Sequence, residues 1–248
     1  MTADPDSSPV AIVTGASSGI GEATARMLAA ADYTVVLVAR RRDELERVAN
    51  DIAGAGQKAL AIGADLSKPT TPEQVATMVS ENLGRIDVLV NSAGVAKLSS
   101  VIDGKPEDWE EMWKINVLGL ARISSAVIGH FPASGGHIVH LSSLSGHRVP
   151  PSGGFYAPTK HAVRAHAEAL RSELRGRGNA TRVTCISPGF VDTPLAEEYL
   201  GSAGKTVESL GYSVLEPEDI ARAVVHAVQS PQGVEINDVL MRPSGQKT

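Results

Sequence analysis

The chain has 248 residues, of which 42% are hydrophobic and 21% charged, enough to bury a sizeable core in one α/β domain. Its net charge of -5 argues against nucleic acid as a main partner, since phosphate binding needs a basic surface. No apolar run approaches the ~18 residues of a membrane span. The polar stretch before Pro9 lacks the pattern of a secretion signal and reads as a flexible tail over residues 1–8. The lone Cys185 lies in an apolar run, which predicts a buried strand residue and fits a reducing, cytoplasmic setting.

In chain order, strand-length apolar runs alternate with helix-period segments. Val10 to Thr14 precedes Ile20, Ala23, Met27 and Leu28 at helical spacing. Tyr33 to Ala39 precedes a charged helix through Leu45, Val48 and Ile52 that stops near Gly54 and Gly56. Lys58 to Ile62 is followed by a helix opened by Pro72, then by the run Ile86 to Val90. One long helix is predicted through Trp109, Trp113, Val117, Leu120, Ile123 and Val127. His137 to Leu141, a helix through Val163, Ala167, Leu170 and Leu174, and Arg182 to Ile186 come next. A last helix through Ile220, Ala223, Val224 and Val228 leads to a strand predicted within Val234 to Leu240. The strands are near-continuous hydrophobics, as when helices cover both faces of a parallel sheet. The expectation is a single doubly wound Rossmann domain over 9–248, with a seven-stranded, mainly parallel sheet. The weakly periodic segment 194–215 has three glycines and follows a strand, so it reads as a substrate lid or as an ordinary surface insertion.

Between the first strand and helix lies Thr14-Gly15-Ala16-Ser17-Ser18-Gly19-Ile20-Gly21. Glycines at 15, 19 and 21 permit a tight turn and close approach of a pyrophosphate to a helix N-terminus. The second strand ends Ala39-Arg40-Arg41-Arg42, with no acidic residue until Asp43. An acid there would bind the adenosine ribose 2′-hydroxyl, whereas a guanidinium suits a 2′-phosphate. The cofactor expected is therefore NADP, with Arg40 the first candidate and Arg41 the second. Asp65 past the third strand, with Leu66 beside it, is placed at the adenine, or caps a turn.

Tyr156 and Lys160 lie one turn apart at the start of a predicted helix in Tyr156-Ala157-Pro158-Thr159-Lys160. A cation at ~4 Å, at effective dielectric ~20, favours a phenolate by ~4 kcal/mol, roughly three pKa units, before desolvation. That would carry a phenol of pKa ~10 toward general acid/base work. Ser143 ends the fifth strand and is a candidate holder of a substrate oxygen, with Ser142 and Ser145 as competitors. His147 reads as a pocket wall or a surface residue. No metal is expected, because the seven histidines lack ligand spacing.

Taken together, the glycine motif, Asn91-Ser92-Ala93-Gly94, Asn116, Ser143, Tyr156-x-x-x-Lys160 and Pro188-Gly189-Phe190-Val191-Asp192-Thr193-Pro194 resemble the short-chain dehydrogenase/reductase family over about residues 9 to 240. The tail Ile236 to Pro243 is similar to the NADP-dependent 3-hydroxy acid, serine and clavulanate-type dehydrogenase branch. The resemblance implies hydride transfer between NADP and a carbonyl or secondary alcohol. It makes Tyr156 the proton donor, Ser143 the orienter of the carbonyl, and Lys160 the group that binds the nicotinamide ribose and activates Tyr156. Asn116, a poor helix former placed mid-helix, would hold a relay water. Asn91, Ala93 and Gly94 would line the adenosine side and stabilise the sheet. Pro188 and Gly189 would turn the chain, while Val191 and Thr193 hold the carboxamide. Cofactor contacts are further implied for Gly15, Ser17, Ser18, Gly19, Ile20, Gly21, Tyr156 and Lys160. A homo-oligomer, tetramer before dimer, is implied through long helices over 107–131 and 155–177. The departures are Ser92, where the family often has a second Asn, and the absence of a Gly-rich tail. Two other readings are a non-catalytic NADP-binding regulatory protein and a carbon–carbon double-bond reductase. The full set Asn116, Ser143, Tyr156 and Lys160 disfavours the first, and the Tyr spacing disfavours the second.

Overall fold

The computed structural model describes residues 8–151 and 153–246. The expected tail over 1–8 falls outside the described residues except for Ser8. Among the described residues, seven strands form one sheet in the order β3-β2-β1-β4-β5-β6-β7. They are β1 (Val10–Thr14), β2 (Thr34–Ala39), β3 (Ala59–Gly63), β4 (Val88–Asn91), β5 (His137–Leu141), β6 (Arg182–Pro188) and β7 (Asp238–Met241). All six neighbouring pairs are parallel. The helices are α1 (Gly19–Ala30), α2 (Arg42–Gly54), α3 (Thr71–Leu83), α4 (Pro106–Trp113), α5 (Leu120–Ile128), α6 (Tyr156–Gly176), α7 (Pro194–Gly201) and α8 (Pro217–Val228).

Strand pleat sorts the core into two layers. Ala11, Val13, Val35 and Leu37 pack with Leu28 of α1, Val48 of α2 and Val224 of α8 on one face. Val10, Ile12, Val36 and Val38 pack with Val79 of α3 and Ile123 of α5 on the other. Both faces of β1 and β2 are therefore covered, which is why these segments read as unbroken apolar runs. Cys185 is buried against Ala167 and Leu174 of α6, as the apolar run around it implies. After β3 the chain crosses back so that β4 joins β1 on its other side. This reversal opens a crevice at the carboxyl ends of β1 and β4, where doubly wound sheets bind ligands.

Two elements differ from the sequence expectation. The long helix through 109–127 is interrupted by a π-helical segment, Lys114–Gly119, which joins α4 to α5. The last strand starts at Asp238 instead of near Val234. The Glu235 carboxylate takes the Val183 N–H at 2.8 Å, so a side chain occupies the donor that an earlier strand start would use.

Candidate active site

The turn after β1 is built for close approach. Gly15 (φ +67) and Gly19 (φ +55) occupy left-handed backbone, and a Cβ on Gly15 would lie 2.8 Å from the Ala93 backbone. A Cβ on Gly21 would lie 2.3 Å from the Gly15 carbonyl oxygen. Thr14 ties the turn to the loop after β4, because its Oγ1 accepts from Ser92 N–H at 3.1 Å and Ala93 N–H at 3.0 Å. The side chain of Ser18, at the N-cap of α1, does not cap the helix.

Above this turn lies a cleft of about 710 Å³. Its walls include Gly15, Ser17, Ser18, Gly19, Ile20 and Gly21, then Arg40, Arg41, Asp65 and Leu66, then Ala93, Gly94 and Thr193. Arg41 donates from one terminal nitrogen to Ser17 Oγ and Ser18 Oγ, both at 3.0 Å. Asp65 accepts from the N–H and hydroxyl of Ser67, at 3.0 and 2.7 Å. Burial works against its ionised form, yet the Ser67 bonds and the Arg40 charge hold its carboxyl below the usual range. Asp65 is thus both a turn cap and a cleft residue.

Asn91, Pro188, Gly189 and Val191 are placed differently and do not line this cleft. Asn91 is buried, and its Nδ2 donates to Ser124 Oγ at 3.0 Å. Ser124 gives its own proton to the Leu120 carbonyl at 2.7 Å, so it can only accept from Asn91. The same Nδ2 lies 3.1 Å from His140 Nδ1, which makes that ring nitrogen an acceptor. His140 Nε2 then faces His166 Nδ1 at 3.3 Å. Asn91 therefore locks β4 to β5 and α5. Pro188 and Gly189 form the turn after β6, with Gly189 N–H donating to Met241 O at 2.7 Å. Val191 bridges to Leu215, closing the base of the 194–215 segment. That segment contains α7 and a 3-10 turn at Glu208–Leu210.

Ser143, Tyr156, Lys160 and Asn116 come together beside the inner end of the cleft. The link is Gly94: a Cβ there would lie 3.3 Å from Asn116 Oδ1 and 3.8 Å from Lys160 Nζ. Asn116, 1% exposed, accepts from Val95 N–H at 2.9 Å through Oδ1. Its Nδ2 donates to Val95 O at 2.9 Å and to Thr159 Oγ1 at 3.1 Å. The widened π turn carries Asn116 into this bridge between the β4 loop and α6, a frequent use of π-bulges at functional positions.

The serine choice resolves by hydrogen bonding. Ser142 donates to the Lys160 carbonyl at 2.9 Å and is structural. Ser145 offers its backbone N–H to Ser143 Oγ at 3.1 Å. Ser143 is the serine that hydrogen-bonds the Tyr156 phenol. His147 is half-buried, does not line the cleft, and sits below its ordinary pKa through burial and the Arg164 charge.

Lys160 is buried, donates from Nζ to Leu141 O at 2.9 Å, and lies 5.7 Å from the Tyr156 ring centroid. Burial pushes its ammonium down to about 8. The expected lowering of Tyr156 by this cation does not appear in the phenol's balance. Burial raises Tyr156 above its ordinary value, the Ser143 hydrogen bond opposes this, and Tyr199 adds to the rise. The reason is placement: the ammonium is directed at the Leu141 carbonyl, and desolvation outweighs the remaining attraction.

Tyr199, on α7, is a site residue that sequence reading missed. Its ring centroid lies 6.4 Å from that of Tyr156, at 45°. The available signal was its spacing from Leu195, one helical turn earlier in the segment read as a lid or a surface insertion.

A doubly wound parallel sheet with a glycine turn at its switch point defines a Rossmann-type fold. A family model described as short chain dehydrogenase matches residues 9–203, and the chain belongs to that family. It is 37% identical over 250 residues to dehydrogenase/reductase SDR family member 11 of Bos taurus, covering 96% of this chain and 97% of that protein. The solved closed form of serine dehydrogenase complexed with NADP+ is similar at 30% identity and TM-score 0.88, covering 96% of each chain. The alcohol dehydrogenase of the archaeon Thermococcus sibiricus, complexed with 5-hydroxy-NADP, is similar at 31% identity and TM-score 0.86, covering 97% of this chain and 98% of that one. The chain is thus related to the serine and hydroxy-acid dehydrogenase-like branches, as its tail suggests.

Proposed function

We propose that this protein is an NADP-dependent oxidoreductase that interconverts a carbonyl compound and its alcohol, with Tyr156 as general acid/base. The observation that carries this reading is the convergence of Ser143, Tyr156, Lys160 and Asn116 where Gly94 meets the cleft. The cleft suits a dinucleotide: its volume of about 710 Å³ falls in the cofactor range, and side chains at Gly15 and Gly21 would collide with backbone. Arg41 with Ser17 and Ser18 makes a cation-and-hydroxyl cradle suited to a 2′-phosphate, so Arg41 takes precedence over Arg40 in this proposal. The NADP-bound relatives support the same choice.

When bound, NADPH supplies the hydride that adds to the carbonyl carbon. Ser145 N–H fixes Ser143 Oγ, and the Ser143 hydroxyl, which meets the Tyr156 phenol in the free protein, turns to the substrate oxygen when substrate is bound. Tyr156 gives its proton to that oxygen as negative charge develops there. Lys160 supplies positive charge behind the phenol. Asn116 braces Val95 and Thr159, and Thr159 Oγ1 donates to the Tyr156 carbonyl at 2.7 Å, so the start of α6 is held in place. The resemblance extends the proposal to a homo-oligomer, tetramer before dimer, in the cytoplasm, with 194–215 as a substrate lid.

Tyr156→Phe tests the reading. NADPH oxidation with a ketone panel is expected to fall by at least ~10³-fold, while NADPH binding by fluorescence stays within about threefold. Retained turnover overturns the acid/base role. Tight NADPH binding by the unaltered protein, with no turnover across the panel, favours the binding-protein alternative.

A further inference from the structure

We infer that Tyr199 is a specificity-determining residue, and that with the apolar rim of Leu98, Val101, Ile102 and Val149 it selects a carbonyl substrate whose non-reacting end is bulky, apolar and uncharged. The inference rests on the carbonyl-reduction reading of the preceding section and adds the substrate class.

Helix α7 joins the two halves of the site. Leu195, in its first turn, lines the cofactor cleft. Tyr199 is one turn further along the same face and sets its ring against Tyr156. The Tyr199 ring is thereby placed beside the phenol that meets the substrate carbonyl in the proposed reaction. The helix is anchored at its start by Thr193, whose Oγ1 accepts from Ala196 N–H at 3.2 Å. The residues flanking the segment are held by Asp192 N–H on Leu215 O at 2.8 Å and Leu215 N–H on Phe190 O at 3.0 Å. Tyr199 is therefore carried by a short helix on a fixed base.

The loop after β4 also borders Tyr156. It is pinned next to Tyr156, because Phe155 N–H donates to Ser99 O at 2.9 Å. Trp109 Nε1 holds the same loop through Ser100 O at 3.0 Å and stacks on Phe155 at 5.4 Å. From this pinned loop Leu98, Val101 and Ile102 face outward, Ile102 with 91% of its surface exposed. Val149, on the loop after β5, is 63% exposed. Both loops leave the carboxyl edge of the sheet, so the apolar side chains gather on the ligand side. Lys97, one of the cations on these loops, is committed to Glu111 at 2.6 Å and Asp108 at 3.1 Å, which disfavours it as a receptor for a substrate carboxylate.

The test compares two methyl ketones, 4-phenylbutan-2-one and acetoacetate, with hexanal as a general carbonyl probe, in NADPH oxidation. The unaltered protein is expected to favour the phenyl ketone over acetoacetate by at least ~50-fold in kcat/KM, the scale set by burying a few apolar groups. Tyr199→Ala should cut that ratio about tenfold, mainly by raising KM, while Tyr199→Phe, which keeps the ring, should hold it within about threefold. Equal or greater use of acetoacetate overturns the inference. So does an unchanged ratio in Tyr199→Ala, or turnover of neither ketone. If hexanal is still reduced by the unaltered protein and not by Tyr156→Phe, the carbonyl-reduction reading stands and only the substrate class falls.

Discussion

Replacing Lys160 by Met separates what this site needs from what the fold prefers. The ammonium is buried, and its folded-state pKa is about 8 against 10.5 for the ordinary group. Keeping it charged inside the protein therefore costs about 3 kcal/mol at pH 7, the linkage integral between those two values. Met fills a similar length without charge. Against that gain stands the hydrogen bond to Leu141 O, whose loss costs about 1–3 kcal/mol. Lys160→Met is thus expected to be inactive yet as stable as the unaltered protein, or more stable by up to about 2 kcal/mol. The pH dependence isolates the charge. Between pH 8 and 10.5 the unfolded chain holds a proton at Lys160 that the folded chain has shed, so the stability of the unaltered protein rises with pH there. That contribution, about 2 kcal/mol from pH 8 to pH 10, is absent in the variant. Urea unfolding of both proteins at pH 8 and pH 10 measures it. A stability difference that stays constant to within about 0.5 kcal/mol across that interval refutes the reasoning, as does a loss above about 4 kcal/mol in the variant at pH 7.

Three other expectations follow from the same geometry. Arg41→Ala should weaken NADPH by about 10- to 100-fold and NADH by less than threefold, with Arg40→Ala the smaller effect; equal losses for both cofactors in a fluorescence titration would remove the 2′-phosphate role. His137, pushed down to about 3 by burial with help from Arg182, is neutral when folded, whereas the unfolded residue takes up a proton below about 6.5. Its stability contribution is present above pH 6.5 and falls with acid, by about 2 kcal/mol at pH 5; His137→Gln should lose that much less between pH 7 and pH 5 in urea unfolding. Asn116→Ala strands the Val95 N–H and C=O and should cost about 2–4 kcal/mol, lower the melting temperature, and reduce kcat more than it alters NADPH binding.

Much of the fold was legible because its signals are local. Unbroken Val-rich runs mark strands covered on both faces, and their alternation with 3.6-period segments implies the doubly wound parallel sheet that is seen. The glycine turn was legible for the same reason: positive φ at Gly15 and Gly19 is a property of a few consecutive residues. The Tyr156 and Lys160 pair shares a helix face by spacing alone. The π segment at Lys114–Gly119 was not legible, because the bridge around Asn116 reaches Val95, 21 residues away, and Thr159, 43 residues away. Apolar periodicity continues smoothly through it.

Local sequence supplies the chemical groups and the alternation of elements: a glycine turn, an arginine run, and a serine, tyrosine and lysine at strand and helix ends. Packing between distant segments gives each group its partner. It assigned Arg41 to the serines of the glycine turn, Ser142 to a backbone carbonyl and Asn91 to a buried lock with Ser124 and His140. It also turned Lys160 toward Leu141 and laid Tyr199 over Tyr156. The physical reason is common to all of these. Backbone propensity acts over a few residues, whereas burial and the satisfaction of polar groups are settled between segments that meet only when the sheet closes.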